Sequence, residues 1–274
     1  MTEAQQGNWK EPSGPLGRLA RRSAARAEAA RADLRGLERR VATLTPVASF
    51  ADALDRTDVA VIAEIKRRSP SKGVLDDALD AGARAAEYAL GGAAALSILT
   101  EPSEFGGSLD DLAAARSTAS IPLLRKDFIV DEVQLLEARL AGASAVLLIA
   151  RALPPDRFFT LAAAAKSIGL DVLLEVRDEI ELERALGVPD GVIGVNNRNL
   201  ETLAIDDSVS ERLLRLVPPE RTAVYESGIQ NVDGVRRAAA LGADAVLVGS
   251  ALSVVASPVD AVRRLTGVPR STRG

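Results

Sequence analysis

The run Val59-Ala60-Val61-Ile62-Ala63-Glu64-Ile65-Lys66 decides the fold of this 274-residue chain. It is short, apolar and bounded, which reads as a buried strand rather than a helix. Its two charged residues, Glu64 and Lys66, stand two apart and so share one face of an extended chain. A doubly wound nucleotide-binding sheet would want a glycine-rich phosphate turn after its first strand. Glu64-Ile65-Lys66 occupies that place instead. The strand therefore hands charged groups, not a phosphate cradle, to whatever lies beyond its end.

Seven further runs of the same kind follow, at residues 94–99, 121–124, 145–149, 172–176, 192–195, 222–225 and 244–248. Each precedes a helix-compatible stretch, and strands alternating with helices imply βαβ units and a parallel sheet. Eight such units over roughly 215 residues have the count and size of a (β/α)8 TIM barrel. Three phrases repeat at the joints: Gly91-Gly92-Ala93-Ala94-Ala95, Ala141-Gly142-Ala143-Ser144-Ala145 and Leu241-Gly242-Ala243-Asp244-Ala245. Each reads as a glycine helix cap leading into a buried strand.

Upstream of the barrel, Leu16, Leu19, Ser23, Ala27, Ala30, Leu34, Leu37 and Val41 recur at steps of three and four, the face of an amphipathic helix. Eight arginines against three acids between Arg18 and Arg40 make it basic, a solvated face or a surface for an anionic partner. The expected organisation is a flexible tail over 1–14, a helical extension packed on the barrel over 15–58, the barrel over 59–268 and a C-terminal tail over 269–274.

Composition removes much chemistry. The chain has no Cys and no His, which excludes thiolate nucleophiles, disulfides, Ser-His-Asp triads and His-ligated metals. Acid–base work falls to Lys, Glu, Asp or Tyr. A metal held by carboxylates alone stays open to the composition, but no Asp/Glu cluster with ligand spacing stands out. A net charge of −4, from 34 basic and 38 acidic residues, does not favour nucleic acid. No apolar run is long enough for a membrane span and the polar N-terminus is no secretory signal, so a cytoplasmic protein is expected.

In such a barrel the site lies where strands end. The first strand ends in Glu64 and Lys66, the third in Lys126-Asp127, the fifth in Glu175, the sixth in Asn196 and the seventh in Glu226-Ser227-Gly228. The eighth ends in Gly249-Ser250. Charged residues rarely sit in barrel strands unless paired or functional. Taken singly, each could be an ion pair or a turn; together they converge on one mouth. The small residues after strands seven and eight suit a phosphate site.

These residues sit in phrases that resemble the indole-3-glycerol-phosphate synthase family over about residues 46–265. Ile62-Ala63-Glu64-Ile65-Lys66-Arg67-Arg68-Ser69-Pro70-Ser71-Lys72-Gly73 resembles its first-strand signature, and Leu124-Arg125-Lys126-Asp127-Phe128-Ile129-Val130-Asp131 its third. Leu99-Thr100-Glu101-Pro102, Phe105-Gly106-Gly107-Ser108-Leu109, Leu174-Glu175-Val176, Val195-Asn196-Asn197-Arg198-Asn199-Leu200 and Glu226-Ser227-Gly228-Ile229 complete the likeness.

The resemblance implies ring closure, decarboxylation and dehydration of 1-(o-carboxyphenylamino)-1-deoxyribulose 5-phosphate, a step of tryptophan biosynthesis. Lys126 would be the acid on the ketone oxygen. Glu175 and Lys66 would divide the acid and base of the dehydration, in either assignment, with Glu64 and Asn196 positioning them. Phe105 and Phe128 would wall the aromatic ring, and Arg198 would pair with the substrate carboxylate or anchor a loop. Ser69, Ser227, Gly228, Gly249 and Ser250 would hold the phosphate, and Glu226 joins the substrate-binding groups. No metal, nucleotide or redox cofactor is implied, nor a nucleic-acid or membrane partner; a monomer or weak homo-oligomer is expected.

Two residues depart from the family's phrases: Asn199 where Asp is usual, and Tyr225 where a small residue is common. A sister barrel, phosphoribosylanthranilate isomerase, uses a catalytic Cys that this chain lacks. The histidine-pathway isomerases want Asp where Glu64 and Glu175 stand. A non-catalytic barrel would usually have lost a lysine or a carboxylate, and all are present here.

Overall fold

A computed structural model describes residues 9–273. Its centre is a closed barrel of eight parallel strands: β1 (Ala60–Ile65), β2 (Ala95–Leu99), β3 (Leu123–Lys126), β4 (Ala145–Ile149), β5 (Asp171–Val176), β6 (Val192–Asn196), β7 (Ala223–Glu226) and β8 (Ala245–Val248). Neighbours in sequence pair around the ring, and β1 closes on β8 with Ala60 opposite Ala245. The (β/α)8 expectation holds. The strands end later than their apolar runs suggest at β3, β6 and β7, because Lys126, Asn196 and Glu226 continue the ladder.

Every strand alternates. Val61, Ala63 and Ile65 of β1 join the layer between sheet and helices, while Ala60 and Ile62 point into the barrel. The interior is filled by Ile62, Leu124, Leu147, Leu173, Val192, Val224 and Leu247, with alanines between them. A period of two carries this parity to the strand ends. Glu64, Lys126, Glu175, Asn196 and Glu226 therefore all fall on the inward face, at the mouth.

Eight helices surround the barrel: α4 (Ala81–Leu90), α5 (Leu109–Thr118), α6 (Glu132–Leu140), α7 (Pro155–Ser167), α8 (Glu179–Leu186), α9 (Ser208–Leu213), α10 (Val232–Ala240) and α11 (Pro258–Arg263). The three repeated joints do the same work. Gly92, Gly142 and Gly242 have φ of +95°, +91° and +87°, open to glycine at little cost. The next N–H then returns to the helix, as when Ala143 N donates to Ala138 O at 2.9 Å.

Ahead of the barrel lie α1 (Gly14–Ala30), α2 (Leu34–Val41) and α3 (Phe50–Leu54). The single helix expected from the spacing over 16–41 is broken by a 3-10 turn at Arg31–Asp33. The break lets α1 cross the mouth while α2 lies against α6. Leu16 and Leu19 of α1 are buried with the barrel interior, and Phe50 and Leu54 of α3 plug its opposite end. Burying a leucine in this way contributes about 1.5–3 kcal/mol.

Of the tail expected at 1–14, residues 1–8 lie outside the described residues. Residues 9–13 are tied down: Trp9 Nε1 donates to Arg151 O at 3.2 Å, and Ser13 N to Glu201 Oε1 at 2.6 Å. Residues 269–273 are likewise held, with Arg270 and Arg273 turned back onto Asp244.

Candidate active site

The mouth gathers the residues singled out from the sequence. Glu64, Lys66, Ser69, Phe105, Lys126, Phe128, Asn196, Arg198, Ser227 and Ser250 line one pocket. Glu226, Gly228 and Gly249 line an adjoining recess with several of the same groups. Glu175 faces the space between the β5 and β6 loops and reaches Lys126.

At the centre, Lys126 Nζ lies 3.4 Å from Glu175 Oε2 and 3.5 Å from Glu226 Oε2. Lys66 makes an ion pair with Glu64 across one strand residue, as the shared face requires. Three carboxylates thus crowd two ammonium groups in a space almost cut off from water. Burial opposes the charge of Lys126, yet Glu175, Glu226 and Glu64 outweigh it and raise its pKa above the ordinary lysine value. Burial works against Glu64 also, but Lys66 and Lys126 hold it below the usual carboxylate range.

Glu226 differs. Burial and the neighbouring Glu175 and Glu64 prevail over Lys126 and push it up to about 8. It is 1% exposed, and its Oε1 has no hydrogen-bond partner among the described residues. Two glycines make room for these acids. A Cβ at Gly194 would strike the Glu226 carboxylate, and one at Gly249 would strike Glu64 and Lys66.

Asn196 is fixed rather than free: its Oδ1 accepts from Ser227 Oγ and Arg198 N, both at 2.9 Å. Arg198 donates to Leu203 O at 2.9 Å, which closes its own loop and leaves the rest of the guanidinium on the pocket wall. Ser227 has φ +68°, a left-handed conformation that costs a residue with a Cβ about 1–2 kcal/mol. Such strain is found where a loop is shaped for a ligand. Here the loop presents Ser227 and Gly228 opposite Gly249 and Ser250 in one recess.

Phe105 and Phe128 face each other with ring centroids 6.4 Å apart and planes tilted by 40°. Leu147 and Ile149 of β4, Leu200 and Leu203 of the β6 loop, and Leu19 of α1 complete the apolar side. Sequence reasoning passed these aliphatic residues over. The signal for Leu147 and Ile149 was available, since both have the inward parity of β4.

The two departures are accommodated. Asn199 Oδ1 accepts from Glu201 N at 2.8 Å and Thr202 N at 3.2 Å, so an amide oxygen makes the turn a carboxylate would make. Tyr225 points outward, where its hydroxyl donates to Asp207 Oδ1 at 3.3 Å.

The basic face is partly solvated, with Arg21, Arg35, Arg39 and Arg40 exposed, and partly turned onto acids of the barrel loops. Arg18 pairs with Glu104 at 2.9 Å and Arg26 with Asp127 at 2.9 Å, while Arg31 pairs with Asp131. Nor is Lys126-Asp127 an exposed loop pair, because Asp127 is 2% exposed and bound on several sides.

The chain is also similar in sequence to known proteins. A family model described as indole-3-glycerol phosphate synthase matches residues 18–265. The chain is 54% identical over 209 residues to the indole-3-glycerol phosphate synthase of a Nocardioides species, covering 76% of this chain and 80% of that protein. It is 45% identical over 247 residues to indole-3-glycerol phosphate synthase 2 of Streptomyces coelicolor, covering 90% and 93%. Indole-3-glycerol phosphate synthase of Paenarthrobacter aurescens is 48% identical over 203 residues, 74% of this chain and 75% of that protein.

Proposed function

Because the chain belongs to the indole-3-glycerol phosphate synthase family, we propose that Lys126 and the three carboxylates around it carry that family's reaction. The family consists of carboxy-lyases of tryptophan biosynthesis that act on a sugar phosphate without a cofactor. The observation that carries the residue assignment is the Lys126 ammonium, held by Glu175 and Glu226 beside the Phe105–Phe128 slot.

In this reading the anthranilate ring lies against the apolar wall formed by the two phenylalanines, its carboxylate toward Arg198. The phosphate sits against Ser69, Ser227, Gly228, Gly249 and Ser250. The ring carbon bearing the carboxylate bonds to the sugar ketone carbon while Lys126 gives a proton to the ketone oxygen. The bond to the carboxylate then breaks, carbon dioxide leaves, and its electrons return to the ring. Lys66 gives a proton to the departing hydroxyl, which leaves as water, and Glu175 takes the proton lost from the former amine carbon or nitrogen. Glu64 holds Lys66, and Asn196 holds the Ser227 loop. Glu226 keeps a proton near neutral pH and can reload Lys126 once the lysine has spent its own.

The reading places the protein in the cytoplasm, as a monomer or weak homo-oligomer with no nucleic-acid partner. Among the described residues no helix is long and apolar enough to cross a membrane. The test is turnover of the carboxyphenylamino-deoxyribulose phosphate in chelator, followed by indole fluorescence, with Lys126→Ala beside it. Turnover that survives chelation and collapses in the variant supports the assignment. Tight binding without turnover in the unaltered protein would refute it.

A further inference from the structure

Each wall of the aromatic slot hangs from a buried carboxylate. The N–H of Phe105 donates to Glu101 Oε2 at 3.2 Å, and that of Phe128 donates to Asp127 Oδ1 at 2.8 Å. Glu101 is fully buried and also takes Ser103 N at 3.0 Å and Glu104 N at 2.7 Å, which shapes the whole β2 loop around it. Asp127 also takes Thr100 Oγ1 at 2.8 Å and Arg125 Nη2 at 3.0 Å. The two acids thus fix where the two rings stand.

One side chain joins them. Arg26, one turn before the end of α1, puts Nη2 2.9 Å from Asp127 Oδ1 and Nη1 3.6 Å from Glu101 Oε1. A planar guanidinium can bridge two acids at a set spacing, which a single ammonium cannot. One turn earlier, Ser23 Oγ donates to Phe128 O and accepts from Gln134 Nε2 at 2.8 Å. Ser23 is fully buried, so α1 grips the Phe128 segment at the backbone as well as through Asp127.

We infer that Arg26 is a positioning residue for the family's reaction: by clamping Glu101 to Asp127 it sets where the Phe105–Phe128 pair stands at the mouth and so the fit of the aromatic ring against it. The inference rests on the proposed seating of that ring against the two phenylalanines. Arg26 touches no substrate atom; it acts through the two loops. Its loss should therefore be felt by the aromatic end of the ligand and not by the phosphate end, which lies across the mouth on the β7 and β8 loops.

The experiment compares Arg26→Ala, Arg26→Lys and Phe105→Ala with the unaltered protein. It measures KM, kcat and thermal midpoint, and the Kd for indole-3-glycerol phosphate and for glycerol 3-phosphate. Arg26→Ala is expected to raise KM and the Kd for indole-3-glycerol phosphate about tenfold, to leave the Kd for glycerol 3-phosphate within twofold, and to lower kcat by less than the KM rises. Arg26→Lys should recover only part of the loss. If Phe105→Ala weakens indole-3-glycerol phosphate and Arg26→Ala does not, the clamp is refuted and the slot stands. A Phe105→Ala protein with unaltered affinity would refute the slot itself. Equal weakening of both ligands in Arg26→Ala would mean general damage to the fold and would also overturn the proposal.

Discussion

The acids at the centre of the mouth and those at the foot of the barrel are held in opposite ways. At the foot, Asp244 is met by Arg273 at 2.7 Å, by Arg270, and by the N–H of Ala223 at 2.8 Å. Asp171, at the start of β5, takes Phe50 N at 2.7 Å, Ser49 Oγ at 3.0 Å and Ala51 N at 3.1 Å, and so seats the plug helix α3. These acids are paired or well hydrogen-bonded, and they serve the fold. At the mouth, Glu64, Glu175 and Glu226 share two lysines among them, and one Glu226 oxygen has no partner among the described residues. An acid left short of partners costs stability and gains a movable proton. The contrast separates residues that hold the molecule from those proposed to work in it.

Substitutions at each end can break or sharpen that contrast. The largest effect belongs to the mouth: Lys126→Ala should lower kcat about 10²- to 10⁴-fold, the range for losing a positioned acid. Its thermal midpoint should change far less than its activity, as calorimetry beside the fluorescence assay would report. A parallel collapse of folding would mean that Lys126 is also a structural keystone and would blur the division.

The foot should answer in the opposite sense. Asp244→Ala leaves Arg273, whose side chain is 5% exposed, with only the carbonyls of Gly242 and Arg221 and no acid, and should cost about 3–5 kcal/mol in urea unfolding. Its kcat, measured well below the new midpoint, should stay within about twofold. A large loss of kcat in the folded variant would show the two ends to be coupled.

Glu226→Gln should stabilise the protein, by about 1–3 kcal/mol at pH 8. The sign follows from the raised pKa. Between the ordinary carboxyl pKa and about 8, the folded state keeps a proton that the unfolded state has lost. Stability therefore falls as pH climbs through that window, and the amide, which has no proton to lose, escapes the fall. The gain should be near zero at pH 4, grow with pH and level off above 8; a gain independent of pH would contradict the assignment. The smallest effect is Asp171→Ala, which removes an anchor of α3 and should cost about 1–2 kcal/mol with no change in KM.

Much of the mouth was readable from period-two arithmetic, because each strand carries its interior parity to its end. The same arithmetic explains the errors at the boundaries. The apolar run at 121–124 stops before Arg125 and Lys126, yet these finish β3, since a chemical site needs polar residues where an apolar criterion ends a strand. Arg125 even points outward and is still buried, satisfied by Gln134 O at 2.7 Å and Asp127 at 3.0 Å. The arginines of α1 were visible as a basic face, but Arg18 and Arg26 find their partners 75 to 101 residues away. Nothing local marks Asp127 or Glu101 as the place where Arg26 lands. The break at Arg31–Asp33 was equally hidden, because the apolar spacing runs through it unchanged.

The seam of the barrel also sets a clock. β1 finds its second neighbour only in β8, and Val59 N donates to Val268 O at 2.7 Å beside the Asp244 cluster. During synthesis the first strand emerges long before residues 245–273, so two sheet edges wait with unpaired backbone until the ring shuts. Exposed edges of this kind recruit other chains. Variants that slow closure at the seam, Asp244→Ala among them, should therefore be lost in the cell to aggregation during translation to a greater degree than their equilibrium stability implies.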